Sequence, residues 1–195
     1  MTDRETLYRG ASHAAWGYFF LYIDINLGTL TILPDWAAYL LFLSAIGKLQ
    51  GERRDLALLR PLGILLALWN GIDWLAAFGG GSVSGHLPPV DLVISVVQLY
   101  FHFQFLTDCA GLAAAYQPPG EGVDARLLRW RTLQTVLLTA AVCLTYLPLD
   151  WEGAGAVALT LLAVVCVIAG LCIMAALFAL RRLFREDAPP QETVS

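Results

Sequence analysis

Seven polar side chains are set within long apolar stretches of the chain, and they have the clearest capacity for chemistry. Carboxylate and amide oxygens can hold a cation, and an imidazole can carry a proton near neutral pH. If the apolar stretches cross a membrane, each charged group in them costs at least about 2.5–3.5 kcal/mol, so such groups usually face a cavity or a partner. We therefore predict a polar cavity lined by Asp24, Asn26, Asn70, Asp73, Gln98, His102 and Asp108.

The clearest spacing pattern lies in the apolar stretch that begins near residue 89. Its polar residues follow steps of four, three, four and seven, which places them on one face of a helix; they are Asp91, Ser95, Gln98, His102 and Cys109. One interpretation is a stripe that lines a water-accessible path, with His102 carrying a proton. The other is hydrogen bonding between helices, which Gln, Ser and His side chains provide in membranes. Asp91 taken alone is more typical of a helix-start cap.

A second set of acidic residues lies between the apolar stretches or at their ends. The segments that connect the stretches there contain no Lys or Arg. The set predicts an outer acidic mouth formed by Asp35, Asp91, Asp150 and Glu152. Carboxylates beside aromatic walls could bind a metal ion or an organic cation. They could equally be ordinary loop acids, and the neighbouring Trp residues are typical membrane-interface anchors. The identity of any metal is left open.

The composition excludes two broad classes of protein. Of the 195 residues, 58% are hydrophobic and only 14% are charged, and the mean hydropathy is +0.65. Soluble domains are usually about 45–50% apolar and about 25% charged, so a water-soluble protein is excluded. Twelve basic residues against sixteen acidic ones, with no basic run longer than a pair, exclude a nucleic-acid binder. The lipid bilayer is therefore the first partner that the sequence implies.

The hydropathy pattern predicts an all-α fold, a polytopic transmembrane bundle of six spans. A bilayer core about 30 Å thick requires about 20 largely apolar helical residues. Residues 1–185 form a single transmembrane domain in this prediction, and residues 186–195 form a short disordered tail. The spans run from about Gly10 to Leu27, Pro34 to Leu49, Pro61 to Phe78, Pro89 to Tyr116, Leu128 to Leu147, and Gly153 to Leu183.

The basic residues predict the orientation of these spans. All twelve Lys and Arg fall on one side of the six-span model, whereas the connections 28–33, 79–88 and 148–152 contain none. Positively charged residues remain cytoplasmic, so both termini are predicted to be cytoplasmic. The four cysteines lie within spans without a Cys-x-x-Cys pair, which argues against a disulfide framework or a zinc site. The sequence contains no cofactor-binding motif, and we predict no cofactor.

One segment resembles a known group of proteins. The phrase Asp24-x-Asn26-x-Gly28, followed by Ile32-Leu33-Pro34-Asp35-Trp36, resembles a segment of small uncharacterised membrane proteins of Gram-positive bacteria. The resemblance covers under a fifth of the chain. It implies a multi-pass protein of a bacterial plasma membrane and transfers no catalytic residue.

Three functions remain open from the sequence. The first is a small cation- or proton-linked binding protein or transporter, because Asp24, Asp73, His102 and Asp108 descend from the outer to the inner face. The second is an accessory or scaffold protein that contacts a partner membrane protein or a second copy of itself. The third, which we favour least, is an intramembrane enzyme that uses Asp24 and Asp73 as acid and base, since two adjacent carboxylates can share a proton.

Overall fold

The computed structural model describes residues 3–23, 26–27, 30–31, 35–78, 81, 83, 88–146 and 153–185. Nearly all of this part of the chain is helical. The helices are α1 (Arg4–Tyr22), α2 (Asp35–Leu49), the single turn α3 (Asp55–Leu58), α4 (Arg60–Phe78), α5 (Pro88–Tyr116), α6 (Val123–Tyr146) and α7 (Ala154–Leu183). Two strands of two residues each, β1 (Asn26–Leu27) and β2 (Leu30–Thr31), lie between α1 and α2.

Four helical segments are long and apolar enough to cross a membrane. They are Asp55–Ala77, Pro88–Tyr116, Val123–Leu144 and Gly155–Leu183, and they correspond to the third to sixth predicted spans. The other two predicted spans are the helices α1 and α2, which that set does not include. Charged residues occupy the first two turns of α1, and α2 has only 15 residues, or about 22 Å at about 1.5 Å per residue.

The first predicted span is wrong at its C-terminal end. We expected it to continue to Leu27, but α1 ends at Tyr22 and the next residue, Ile23, is extended. Beyond it, Asn26 pairs with Thr31 and Leu27 with Leu30 in an antiparallel bridge. The backbone groups of residues 26 and 27 are thus paired with another strand, which a helix does not allow.

The six long helices pack as a closed ring. Helix α1 packs against α2 and α7, α2 against α4, α4 against α5, α5 against α6, and α6 against α7. Small residues let α1 and α2 approach closely: a Cβ atom added to Gly17 would lie only 2.7 Å from Cε1 of Phe42. Close approach at small residues is how membrane helices gain packing energy.

Aromatic side chains fill the inside of the ring, and aliphatic ones cover the outside. Tyr18, Tyr39 and Phe42 are fully buried, as are Phe101 and Phe105. The outward faces of the four longest apolar segments expose large hydrophobic side chains, among them Leu68 at 60%, Leu75 at 63%, Val136 at 60% and Leu161 at 61%. So much exposed apolar surface fits hydrocarbon as the surrounding medium.

Candidate functional site

Among the imidazole, carboxylate and amide side chains that the structure describes as buried, which are those of His102, Gln134 and Asp108, that of His102 is the most deeply buried. It lies at the midpoint of α5, 14 residues after Pro88, and only 2% of the residue is exposed. Its Nδ1 and the hydroxyl of Tyr18 on α1 are joined by a hydrogen bond of 3.1 Å. Which of the two atoms donates depends on the imidazole tautomer. The bond therefore links α1 to α5 across the centre of the bundle.

An aromatic shell surrounds this imidazole. The ring centroids of Tyr18, Phe101, Phe42 and Tyr39 lie 5.4, 5.5, 5.6 and 6.1 Å from that of His102. The Phe rings meet the imidazole edge to face, the arrangement that aromatic quadrupoles favour. We refer to Tyr18, Tyr39 and His102 as the His102 centre.

Two buried polar atoms of the His102 centre have no hydrogen-bond partner among the described residues. They are Nε2 of His102 and the hydroxyl oxygen of Tyr39. A buried polar group left unsatisfied costs about 1–3 kcal/mol, and such a group in a native protein needs an explanation. If the cluster had only a structural role, apolar side chains at these two positions would avoid this free-energy cost.

A second hydrogen bond, which is partly buried, connects α1 to α6. The side-chain amide of Gln134 donates to the hydroxyl of Tyr22, whose ring stacks on that of Tyr18 at a centroid distance of 6.3 Å. Gln134 is 3% exposed. Four helices of the ring, α1, α2, α5 and α6, thus contribute polar atoms to one connected region.

The C-terminal half of α5 holds a second polar cluster. Asp108 is 5% exposed, and its Oδ1 accepts a hydrogen bond of 3.1 Å from Nε2 of Gln104. The guanidinium of Arg53 lies against the same part of α5, because a Cβ atom at Gly111 would be 2.7 Å from its Cζ. Glycine at position 111 therefore lets a cation approach the helix one turn after a buried carboxylate, where the two attract each other.

Other members of the predicted polar cavity are bonded locally. Nδ2 of Asn70 donates to the carbonyl oxygen of Leu66 at 2.8 Å, and Oδ1 of Asp73 accepts from the backbone N–H of Val83 at 2.8 Å. These bonds tie Asn70 and Asp73 to their own part of the chain.

The remaining members of the set lie in different places. Gln98 is half-buried on α5 and Asn26 belongs to β1, whereas Asp24 lies outside the described residues. A cavity shared by the whole set, and the pairing of Asp24 with Asp73, therefore stay predictions.

The outer acidic mouth is described only in part. Asp35 is exposed in the first turn of α2, and Asp91 is half-buried in the first turn of α5. Asp150 and Glu152 lie outside the described residues. Within the described ranges, no three His, Cys, Asp or Glu side chains form a group that could hold a metal ion.

The sequence did not single out Tyr18, Tyr39 or Gln134 as functional candidates. Tyr18 follows Ala11, Ala14 and Ala15 on one buried face of α1, so a polar tip among small residues was the available signal. Gln134 is an amide in an otherwise largely apolar stretch. The hydrogen-bond partners of Tyr18 and Gln134 lie 84 and 112 residues away along the chain, and spacing along one helix does not reveal such partners.

Comparisons of the chain with protein-family models, curated proteins and solved structures found no match in any of the three sets.

Proposed function

We propose that the chain is a six-span protein of a bacterial plasma membrane, with both termini cytoplasmic, in which the His102 centre binds a proton and passes it between the two ends of the bundle. The observation that carries the proposal is the buried imidazole at the midpoint of α5, with one nitrogen bonded to Tyr18 and the other without a partner in the described chain. An intramembrane ionisable residue is by default a candidate functional site.

The ring of helices supports six spans. Helices α1 and α2 lie next to each other between α7 and α4, both of which belong to segments that can cross a membrane. A helix enclosed between two spanning neighbours shares their depth. The 15 residues of α2 can be accommodated by local thinning of the bilayer, at a cost of fractions of a kcal/mol per Å of mismatch.

The orientation can be tested with single cysteines in a variant that lacks the four native ones. A membrane-impermeant maleimide added to intact cells should label Gly81→Cys, which precedes α5, and should label Glu121→Cys only after the cells are opened. Labelling of Glu121→Cys in intact cells would contradict cytoplasmic termini.

Polar groups on both sides of His102 support a path for the proton. Tyr39 lies one helical turn from Asp35 at the outer end of α2, and Asp108 lies six residues beyond His102, or about 9 Å farther along α5. The path thus begins at an exposed carboxylate, crosses the imidazole and ends beside Arg53. We infer that proton transfer, rather than metal binding, is the better use of these groups, because a single imidazole suffices for it.

Proton flux in reconstituted vesicles tests the proposal. Vesicles with a pH-sensitive dye inside and a potassium diffusion potential across the membrane should acidify faster with the wild-type protein than without protein. His102→Gln keeps a group that can bond Tyr18 but cannot carry the proton, so acidification should fall to the protein-free rate. His13→Gln is the matched control, because it makes the same substitution at a half-buried histidine outside the His102 centre. The side chain of His13 bonds Ser44 on α2.

Two results would contradict the proposal. One is a wild-type rate equal to that of protein-free vesicles. The other is an imidazole of His102 whose ¹⁵N chemical shifts remain those of one neutral tautomer from pH 8 to pH 4 in lipid. A fall in flux for His13→Gln equal to that for His102→Gln would also argue against a specific role for His102. The thermal stability of each variant is measured beside the flux, so that unfolding is recognised.

The second candidate function is that of an accessory or scaffold protein that contacts a partner membrane protein. The side of α4 that faces away from the bundle favours this function. Leu68, Ile72 and Leu75 are 60%, 52% and 63% exposed and lie on one side of the helix, where a partner helix could pack as well as lipid. We expect such a partner to co-purify in mild detergent with the wild type and to be lost with Ile72→Asn. Co-purification unaffected by this change would exclude this face as the contact.

A further inference from the structure

A groove on the outside of the bundle combines an apolar floor with arginines at one end. It runs between α1 and α6 over the last turns of α7 and has a volume of about 650 Å³. Its apolar lining includes Trp16, Met174 and Phe178, and its charged lining consists of Arg126, Arg181 and Arg182. We refer to this feature as the arginine groove.

The three arginines are available to an anion. Within the described part of the chain, none of them forms an ion pair. Arg181 is held in place by two rings, since its Cζ lies 4.9 Å from the ring centroid of Phe178 and 5.1 Å from that of Tyr8. Its Nε is buried without a hydrogen-bond partner among the described residues.

An adjoining hollow of about 230 Å³ brings Arg126 and Arg182 together with Glu121. Among the described residues that line the two openings, three arginines and this single carboxylate give a net charge of two positive units. This charge excess selects a negatively charged occupant rather than a neutral one.

The position of the groove specifies the kind of anion. Met174 to Arg182 span about 12 Å of α7, a helix that contains an 18-residue stretch with a mean hydropathy of 3.0. The apolar floor therefore lies at hydrocarbon depth, and the arginines lie where the helix leaves it. A soluble phosphate would use the arginines but not the floor, whereas a phospholipid uses both. Basic pockets between membrane helices bind acidic headgroups in this way.

We propose that the arginine groove binds one anionic phospholipid of the adjacent leaflet. Its phosphate is bound by Arg126, Arg181 and Arg182, and one acyl chain lies along Trp16, Met174 and Phe178. Guanidinium groups suit a phosphate because they can donate two parallel hydrogen bonds to it. The proposal is independent of proton transfer at His102.

Native mass spectrometry of the detergent-solubilised protein tests selectivity. With equal concentrations of phosphatidylglycerol and phosphatidylcholine of the same chain length, we expect one phosphatidylglycerol to remain bound after the others dissociate. An arginine near the membrane surface contributes about 1 kcal/mol, or about fivefold in affinity. Arg126→Gln with Arg182→Gln should therefore weaken phosphatidylglycerol binding by roughly 30-fold.

Matched controls separate the groove from general attraction to acidic lipid. Arg54→Gln with Arg60→Gln removes the same charge from exposed positions outside the groove, and its binding should equal that of the wild type. Ala175→Phe fills the groove while it keeps all three arginines, so it should also abolish tight binding. Ala163→Phe makes the same change at an exposed position of α7 outside the groove and should have no effect.

The occupied position can be located by fluorescence. Phosphatidylglycerol with brominated acyl chains quenches a tryptophan that it contacts, and Trp16→Phe should remove part of that quenching. Equal binding of the two lipids would overturn the proposal, as would wild-type binding by Ala175→Phe or equal losses in both arginine pairs. Displacement of the lipid by inorganic phosphate at the same concentration would also overturn it, because the apolar floor would then contribute nothing.

Discussion

Replacing Gly17 by alanine tests the packing that holds the His102 centre together. A Cβ atom at this position would lie 2.7 Å from Cε1 of Phe42 and 3.0 Å from its Cδ1 and Cζ. The ring of Phe42 has no free space to turn into, because it is fully buried and packs against the rings of Tyr18, Tyr39, Phe101, His102 and Phe105.

The size of the effect follows from these distances. Carbon atoms pack at about 3.5–4.0 Å, so the ring of Phe42 or the helix α1 must shift by roughly 1 Å. Overpacking of this kind costs about 1–3 kcal/mol, and the better helix propensity of alanine gives back up to about 1 kcal/mol. We expect Gly17→Ala to lower the free energy of unfolding by about 1–2 kcal/mol.

Unfolding by SDS in mixed micelles, followed by far-ultraviolet circular dichroism, measures this change. Gly47→Ala is the matched control, because nothing lies within 4 Å of a Cβ atom there and Gly47 also belongs to a helix of the same pair. The control should keep or raise the free energy of unfolding. If Gly17→Ala were as stable as Gly47→Ala, the close contact between α1 and α2 would not exist in the membrane.

Three further predictions concern single interactions. Tyr22→Phe and Gln134→Leu should be coupled by about 0.6 kcal/mol in a double-mutant cycle of unfolding free energies, the mean for membrane hydrogen bonds; additive losses would mean that the two side chains do not bond. Asp73→Ala should lower the free energy of unfolding by about 0.5–1.5 kcal/mol because a backbone N–H loses its acceptor. Asp73→Asn keeps an acceptor oxygen and should therefore lower the free energy of unfolding by less; an equal decrease for the two variants would refute the assigned bond. Gly111→Ala should destabilise the wild type but stabilise an Arg53→Ala variant in the same assay, because the three atoms nearest to the added methyl group all belong to the guanidinium of Arg53. Destabilisation in both backgrounds would mean that the methyl group clashes with another residue.

The His102 centre and the arginine groove place different demands on the bundle. The first requires a rigid interior, which the closed ring of helices and the edge-to-face rings around Phe42 provide. The second requires an outer face that stays open to lipid, which the small side chains of Ala175 and Ala179 provide. A variant that damages one region should leave the other intact, since interactions at separate sites are usually additive.

The sequence by itself determined the class of the protein and most of its helices. Hydropathy is a property of consecutive residues, so long apolar runs indicated the helices from Pro61 onwards to within a few residues, except that α6 begins at Val123 rather than near Leu128. A polar pair on one helix, such as Gln104 and Asp108, can be predicted from the four-residue spacing alone, and the structure shows this bond. The end of α1 was misjudged because residues 26–27 pair with a strand, and backbone pairing leaves no mark in hydropathy.

Only the tertiary structure decided which polar groups meet. His102 was singled out by its type and depth, but its partner Tyr18 lies 84 residues away on another helix. Asp73 and Asn70 looked equally functional in sequence, yet each is bonded within its own part of the chain. The arginine groove is assembled from α1, α6 and α7. Contacts of this kind depend on which helices are neighbours in the ring, and that order is set by packing between helices rather than by the residues of any one of them.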